Sequence, residues 1–392
     1  MKRICILLNG RIKHDSRVIK IINTLSANSY VDLFYINGNI NEDKKMFNHN
    51  VQLYSFYHPI NFLQLVFRHS LFFYEFNFFY KKIKETRKVY DVVYCNDLPT
   101  LNVGYKYKKK YGARLIYDSH EIYIETVNQF YTKKKNLFKN TLFEISIRFM
   151  KISGRIFEKK VVKYVDALIT VNSSIANYFE EKYKIKNVEF IMNIPILKKE
   201  TMWNRNLKKE LNYLESDFIV IYQGILNNGR GLLPLVNAFK FLPNKFKLLV
   251  LGEGILYDDI LETVSVLGLE SQVKLMGRVP ITVLHNYTKI ASLGVNLLEA
   301  YNLSTYLALP NKLFEYIHAE IPVLCSKTKE SIEIVNKYEI GFLTGLSPKE
   351  ISQAIEECST LDLSKYKKNC NIAKSRLNWQ AQEDMLRRIV LE

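Results

Sequence analysis

Four short stretches place reactive side chains where an apolar run hands over to a helical pattern. The most informative is Pro310-Asn311-Lys312-Leu313-Phe314-Glu315-Tyr316. Pro310 favours a helix start, which sets Asn311 and Lys312 in the first turn, beside the positive end of the helix dipole. Glu315 stands three residues beyond Lys312, so the ammonium and the carboxylate share one face. Such a pair suits the phosphate and the ribose hydroxyls of one nucleotide, and an exposed salt bridge is the plainer use of the same spacing. The second stretch is Gly224-Ile-Leu-Asn-Asn-Gly229-Arg230-Gly231. Its glycines allow a tight turn before a helix that points its N-terminus at the loop, and Arg230 can grip a phosphate with two parallel hydrogen bonds. It is not a nucleoside-triphosphatase loop, because Gly231-Leu232 stands where Lys-Ser/Thr is required.

The third stretch, Tyr117-Asp118-Ser119-His120-Glu121, holds a histidine between carboxylates just past the strand-like run Arg114–Tyr117. That suits sugar hydroxyls and proton transfer. Asp97, after the run Asp91–Tyr94, holds the matching place one βα unit earlier. A surface ion cluster is the competing reading. The fourth, Asn9-Gly10-Arg11-Ile-Lys13-His14-Asp15-Ser16-Arg17, joins the first strand to a helix whose apolar face includes Val18, Ile22 and Leu25. Asp15 or Ser16 serves as N-cap, and Gly10 permits close backbone approach to an anion at the helix N-terminus.

These loops need a scaffold that ends strands at one edge. In the first half strand-like runs fall at Ile4–Leu8, Val31–Ile36, Asp91–Tyr94, Arg114–Tyr117, Ala167–Val171 and Val188–Met192. In the second half they fall at Phe218–Tyr222, Lys247–Leu251, Val273–Met276, Leu293–Leu297 and Pro322–Cys325. Helical patterns alternate with them, including Pro310–His318 and Ile332–Val335. That rhythm is the signature of parallel sheets covered on both faces. A length of 392 residues suits two such domains. The expected division is 1–195, 196–375 and a C-terminal helix over 376–392 packing back toward the first domain, with a hinge near the polar stretch 194–215. Ligands of such sheets bind beyond the carboxyl ends of the strands, so the four loops are expected to face a cleft.

Composition narrows the class. Hydrophobic residues make up 48% and charged residues 24% of the chain, so disorder is not expected. The five cysteines are scattered without a CxxC pair, and Cys5, Cys95 and Cys325 lie in apolar strand-like runs. Buried reduced thiols and a reducing, cytoplasmic compartment follow. The apolar run after Met1-Lys2-Arg3 spans only Ile4 to Leu8, too short for a signal core, and no stretch of about 18 apolar residues offers a membrane span. The net charge of +17 is uneven: residues 1–200 hold 34 Lys+Arg against 18 Asp+Glu, and residues 201–392 hold 22 against 21. The first half is therefore expected to face something anionic.

The ordered set of pieces resembles the retaining GT-B glycosyltransferases of the family-4 kind, widespread in bacterial polysaccharide assembly. The carriers are Asp15-Ser16-Arg17-Val18, Tyr117-Asp118-Ser119-His120-Glu121, Asp166-Ala-Leu-Ile-Thr-Val171, Gly224 with Arg230-Gly231-Leu232, Gly252-Glu253-Gly254, Pro310 to Tyr316, and Ile321-Pro322-Val323. The resemblance covers nearly the whole chain and implies two tandem Rossmann-like domains facing across a cleft. It implies a donor site of Gly10, Gly224, Arg230, Gly252, Glu253, Asn311, Lys312, Leu313 and Glu315. Here Arg230 and Lys312 meet the diphosphate, and Glu315 is the second acid of a Glu–seven residues–Glu motif on the ribose. It implies an acceptor side of Asp97, Asp118, His120 and Glu121, with His120 near the transferred sugar.

Three departures stand out. The first motif acid is replaced by Leu307, with Glu299 too far upstream to replace it without a rearranged loop; the usual basic residue after Gly224 is Ile225; and the glycine before Ile321 is Glu320. The Pro-Asn-Lys form resembles a subgroup that dispenses with the first acid. The expected activity is metal-independent transfer, with retention, of a hexose from a nucleoside-diphosphate sugar, UDP ahead of GDP, to a lipid-linked or oligosaccharide acceptor of a capsule- or O-antigen-like pathway. No Asp-x-Asp metal motif is present, and neither a metal nor a cofactor is expected. The alternatives are a catalytically inactive GT-B partner subunit, a GT-B sugar-nucleotide epimerase and a basic nucleic-acid-binding protein; no nucleic-acid-binding motif accompanies the charge.

The basic excess has a further expected use. Phe138, Leu142, Ile145, Phe149, Ile152 and Ile156 repeat at four- and three-residue steps among Lys133, Lys134, Lys135, Lys139, Arg148, Lys151, Arg155, Lys159 and Lys160. An aromatic-rich segment, Phe62 to Tyr80, runs into Lys81, Lys82, Lys84, Arg87 and Lys88. Basic amphipathic helices lie on anionic bilayers, which places the first domain peripherally on the inner face of the cell membrane. The plainer alternative is that both apolar faces pack on the domain's own sheet.

Overall fold

The computed structural model describes residues 1–57, 77–126, 137–186, 188–197 and 205–392. The chain divides into two compact units, Met1–Asn193 with Gln382–Glu392, and Ile194–Ala381.

Seven strands build the sheet of the first unit: β1 (Arg3–Leu8), β2 (Tyr30–Ile36), β3 (Val51–Phe56), β4 (Val92–Asn96), β5 (Arg114–Asp118), β6 (Ala167–Thr170) and β7 (Val188–Phe190). Their order is β3-β2-β1-β4-β5-β6-β7, and every pairing is parallel. The central strands are buried on both faces, as sheets covered by helices require. Chain direction across the sheet reverses between β1 and β4, the switch point of the topology.

Three helices of this unit matter to the site. α1 (Ser16–Ser26) follows β1 and is capped by Asp15, whose carboxylate accepts from Val18 N–H at 3.0 Å. α2 (Asp97–Tyr111) follows β4 and ends on Gly112, whose φ of 73° permits the left-handed turn. α3 (Leu137–Val161) packs on α2 and on the short helix Tyr123–Thr126.

The second unit repeats the plan with six strands: β8 (Phe218–Gln223), β9 (Phe246–Leu251), β10 (Val273–Leu275), β11 (Leu293–Asn296), β12 (Val323–Ser326) and β13 (Gly341–Thr344). Their order is β10-β9-β8-β11-β12-β13, again parallel throughout, with the switch point between β8 and β11. The helices that bear on the site are α4 (Leu232–Ala238), α5 (Ile281–Lys289) and α6 (Asn311–His318).

The two doubly wound sheets agree with the sequence reading, but β3 and β13 are additions to it. All five cysteines are buried free thiols. Much of the aromatic segment from Phe62 and all of Lys133–Lys135 lie outside the described residues. No described helix is long and apolar enough to cross a membrane.

Candidate functional site

In the second unit, chemistry gathers at the carboxyl end of β8. Gly224 follows the strand at φ 128°, and its N–H donates to Leu251 O at 2.9 Å. Gly252, which follows β9 at φ 144°, lies so close that a Cβ there would stand 1.8 Å from Gly224 O. Only glycine fits, and the contact locks the two strand-end loops together. Beyond it, Gly231 at φ 64° presses on Leu297, and its N–H donates to Glu299 Oε1 at 3.1 Å. Glu299 N–H in turn donates to Gly229 O at 3.1 Å. Glu299 therefore braces the turn that carries Arg230.

α6 begins at Asn311 after Pro310, and no side chain caps its first turn. Its inner face packs on β11, where Gly294 leaves room for the ring of Tyr316. Lys312 is buried: its Nζ lies 3.5 Å from the centroid of the Tyr222 ring and against Gly224, a cation–π placement. Burial, and then the nearby Arg230 guanidinium, push the Lys312 amine well below its usual range, against a smaller upward pull from Glu315. Among the described residues no carboxylate lies within ion-pair distance of Lys312 or Arg230. Two neighbouring basic groups with no carboxylate paired to either are an unfavourable arrangement that a bound phosphate relieves.

Glu315, half-buried, is held from behind. Gln223 Nε2 donates to its Oε2, and Thr288 Oγ1 on α5 donates to Gln223 Oε1 at 2.8 Å. With one oxygen fixed by this relay, the carboxylate keeps acceptor capacity for hydroxyl donors. Asn311 and Glu253 are exposed at the rim, and Leu313 is a core residue whose side chain makes no part of the surface. Leu307, standing where a family acid is expected, is buried.

The first unit has its own cluster at its switch point. Arg17, in the first turn of α1, is 2% exposed. Its Nε donates to Asp118 Oδ2 at 3.0 Å and its Nη2 to Asp118 Oδ1 at 2.7 Å, while Nη1 donates to Ile191 O. Tyr94 Oη donates to the same Asp118 carboxylate at 2.7 Å. His120 stands next to it, with Nε2 3.4 Å from Asp118 Oδ2 and Nδ1 3.4 Å from Asp97 Oδ2. His120 N–H donates to Asp97 Oδ1 at 3.0 Å. Asp97 adopts φ 59° without being glycine, a strained backbone at the first residue of α2. Burial opposes a charge on His120, but Asp97 and Asp118 outweigh it and raise the imidazole to about 9. His120 is thus an imidazolium at neutral pH.

Two sequence expectations change here. Asp118 was expected on an acceptor-binding surface, yet it is fully buried and bidentate with Arg17, so it acts on His120 rather than on a ligand. Glu121 is drawn onto Thr126, whose Oγ1 donates to its Oε1 at 2.7 Å. Asp97 and His120 do come together. Gly10 lies in the loop after β1, where a Cβ would meet nothing closer than Leu8 at 3.9 Å, so the backbone itself does not demand glycine there.

Known proteins share this fold. Residues 217–360 match the family model of the group 1 glycosyl transferases. That match lies within the second unit. An uncharacterized glycosyltransferase of Methanocaldococcus jannaschii is 27% identical over 181 residues, which is 44% of this chain and 42% of that one. The chain therefore matches less than half the length of this curated relative. The crystal structure of Anabaena HepE in complex with UDP and glucose superposes with a TM-score of 0.71 at 15% identity, covering 99% of both chains. That of WaaG, a glycosyltransferase involved in lipopolysaccharide biosynthesis, gives 0.69 at 15% identity and 99% of both. The fold is GT-B, with a Rossmann-like domain in each unit.

Within that GT-B frame, the side chains with no sequence signal are Tyr222, Gln223, Thr288 and the bracing Glu299. Among the described residues no group of three or more His, Cys, Asp or Glu side chains is set to hold a metal ion.

Proposed function

We propose that this protein is a retaining glycosyltransferase that takes a hexose from a UDP-sugar held by the second unit. The observation that carries the reading is the pairing of two uncompensated cations, Lys312 and Arg230, with a pre-oriented Glu315 at the switch point of the sheet. A diphosphate answers the cations and a ribose answers the carboxylate. The binding of UDP by HepE and the family match over 217–360 support the same assignment.

The chemistry follows from where charge develops. As the glycosidic bond breaks, the leaving UDP gains negative charge, and fixed cations in a partly dry site stabilise it. Arg230 and Lys312 fill that role, which makes the reaction metal-independent. A double displacement needs a carboxylate nucleophile beside the anomeric carbon. A front-face route fits retention better, with the leaving phosphate oxygen accepting the proton of the acceptor hydroxyl.

The acceptor is assigned to the first unit, with Asp97 and His120 as its polar contacts. A lipid-linked saccharide of a surface-polysaccharide pathway at the inner face of the cell membrane accords with that unit's basic excess.

A thermal-shift panel of UDP, GDP, ADP, CMP and dTDP without added metal tests the donor site. UDP at 100 times its dissociation constant should stabilise the protein by about 2.7 kcal/mol. No shift with any of them in folded protein would remove the donor assignment and favour an inactive subunit. A second expectation concerns Gln223, which does not itself hold the ribose but orients the acid that does. Gln223→Leu should raise the donor KM about tenfold with kcat nearly unchanged, because ribose binding is shared by ground and transition states. An equal fall in kcat would show that Gln223 acts on the reacting centre instead.

A further inference from the structure

We propose that Lys312 is an attachment point for phosphate-bearing aldehydes: its amine condenses with the carbonyl carbon while Arg230 holds the phosphate. The inference uses the two basic side chains of the donor reading and deepens it by naming a second ligand class that competes for them. A lysine amine attacks a carbonyl only when unprotonated, and desolvation and a neighbouring cation both keep it so. Lys312 has both. It is 9% exposed, its Nζ lies 3.5 Å from the centroid of the Tyr222 ring, and among the described residues no carboxylate stands within ion-pair distance of it. Burial and the Arg230 guanidinium disfavour the charged form, while Glu315, one turn along α6, pulls more weakly the other way. Gln223 Nε2 already donates to that carboxylate.

The amine is not walled in. Gly224 stands beside it, and even a Cβ there would lie 3.8 Å from Nζ, so no side chain closes that side. Cys325, on β12, is the other nucleophile whose charge acts on Lys312. Burial pushes its thiol up to about 12, so it stays un-ionised and does not compete. The condensation balances within its two reactants. The nitrogen lone pair forms the new bond to carbon, the carbonyl oxygen takes both amine protons and leaves as water, and a neutral imine remains. Water reverses this step, so the grip on the phosphate sets how far the imine accumulates. Arg230, half-buried in the neighbouring turn, offers a phosphate two parallel hydrogen bonds. Open-chain aldose phosphates carry both required groups.

The probe is pyridoxal 5′-phosphate, which bears an aldehyde and a phosphate. The full chain is incubated with it near neutral pH, the imine is fixed with borohydride, and the modified peptides are mapped by mass spectrometry. Lys312 is expected to be labelled ahead of the exposed lysines. Raising the pH by one unit should increase labelling of exposed lysines about tenfold, since their ordinary value is about 10.4, and leave Lys312 nearly unchanged. Pyridoxal, which lacks the phosphate, should label Lys312 about tenfold less, the equivalent of one hydrogen bond to a charged group. Bound UDP should block the Lys312 adduct. Lys312→Arg should lose it, and Arg230→Ala should lose the preference for the phosphorylated probe. Adducts confined to exposed lysines, Lys312 labelling that climbs with pH as theirs does, equal labelling by pyridoxal, or an adduct undiminished by bound UDP would overturn the proposal. These four readings use the unaltered chain, so a misfolded variant does not blunt them. Labelling of Lys312 in a chain that shows no UDP-induced thermal shift would sink the donor reading alone. A UDP shift without an adduct at Lys312 would sink this inference alone.

Discussion

Replacing Arg17 by methionine should destabilise the first unit by about 3–5 kcal/mol, the usual cost of removing one partner of a buried ion pair. Methionine approximates the length of the arginine stem, so the loss is not chiefly a cavity. What remains is Asp118, fully buried, with only Tyr94 and His120 to answer its charge. Burial alone would push this carboxyl up, but Arg17, with His120 behind it, holds it far below the usual carboxylate range. Its contribution to stability is therefore present above about pH 3.9, the ordinary aspartate value, and is lost only as pH falls through the lower folded value. In the variant the carboxyl rises, so the loss should deepen as pH climbs toward neutrality and shrink in acid, where Asp118 is neutral. The double variant Arg17→Met, Asp118→Leu should recover much of the loss, because an apolar pair of similar volume replaces a buried ion pair at little cost. Unfolding of the first unit followed by urea titration at several pH values reads all three results. A loss below about 1 kcal/mol for the single variant would show that the pair is ornamental.

That prediction rests on a contact spanning 101 residues of chain, which shows where sequence reasoning stops. Arg17 stands in a recognisable Asp-Ser-Arg-Val stretch, but nothing local says that it turns inward onto Asp118. The same holds for Gln223, which reads as the last residue of a strand until Thr288, 65 residues on, proves to complete its relay to Glu315. The site on α6 was legible because its signals are local: Pro310 sets the helix start and three residues separate Lys312 from Glu315. The central strands were legible because a strand buried on both faces is a continuous apolar run. β3 and β13 were not: Val51-Gln-Leu-Tyr-Ser-Phe alternates at a half-exposed edge, and Gly341-Phe-Leu-Thr is short, opens on glycine and is only partly buried. α3 was ambiguous for a different reason. Its apolar periodicity was plain, but the face that packs inward is built partly from Ser146, Gly154 and Glu158, which on composition look like the outer face.

Arg230→Ala should lower donor kcat/KM by about 10²–10³, equivalent to roughly 2.7–4 kcal/mol, the range for removing one preorganised donor to a developing oxyanion. The loss should appear mostly in kcat, because the leaving diphosphate carries more charge in the transition state than in the bound donor. Lys312 must answer alone in that variant, and it is a point charge with no second hydrogen bond in plane. Arg230→Lys should accordingly recover only part of the loss. Lys312 adds a readout that no structural role would imitate. Its amine is held well below the usual range while the site is empty, by burial first and by Arg230 second. A bound diphosphate supplies the missing counter-charge and must raise it. UDP binding at a pH above the empty-site value therefore draws a proton from solution, and affinity falls as pH rises through that window. Calorimetry in two buffers of different ionisation enthalpy should show this uptake, and Lys312→Met should abolish it. Uptake undiminished in Lys312→Met would assign the proton elsewhere. Arg230→Ala, by relieving the repulsion, should shift the window to higher pH while weakening binding. Opposite movement of these two quantities is the signature of two cations held together for one anion.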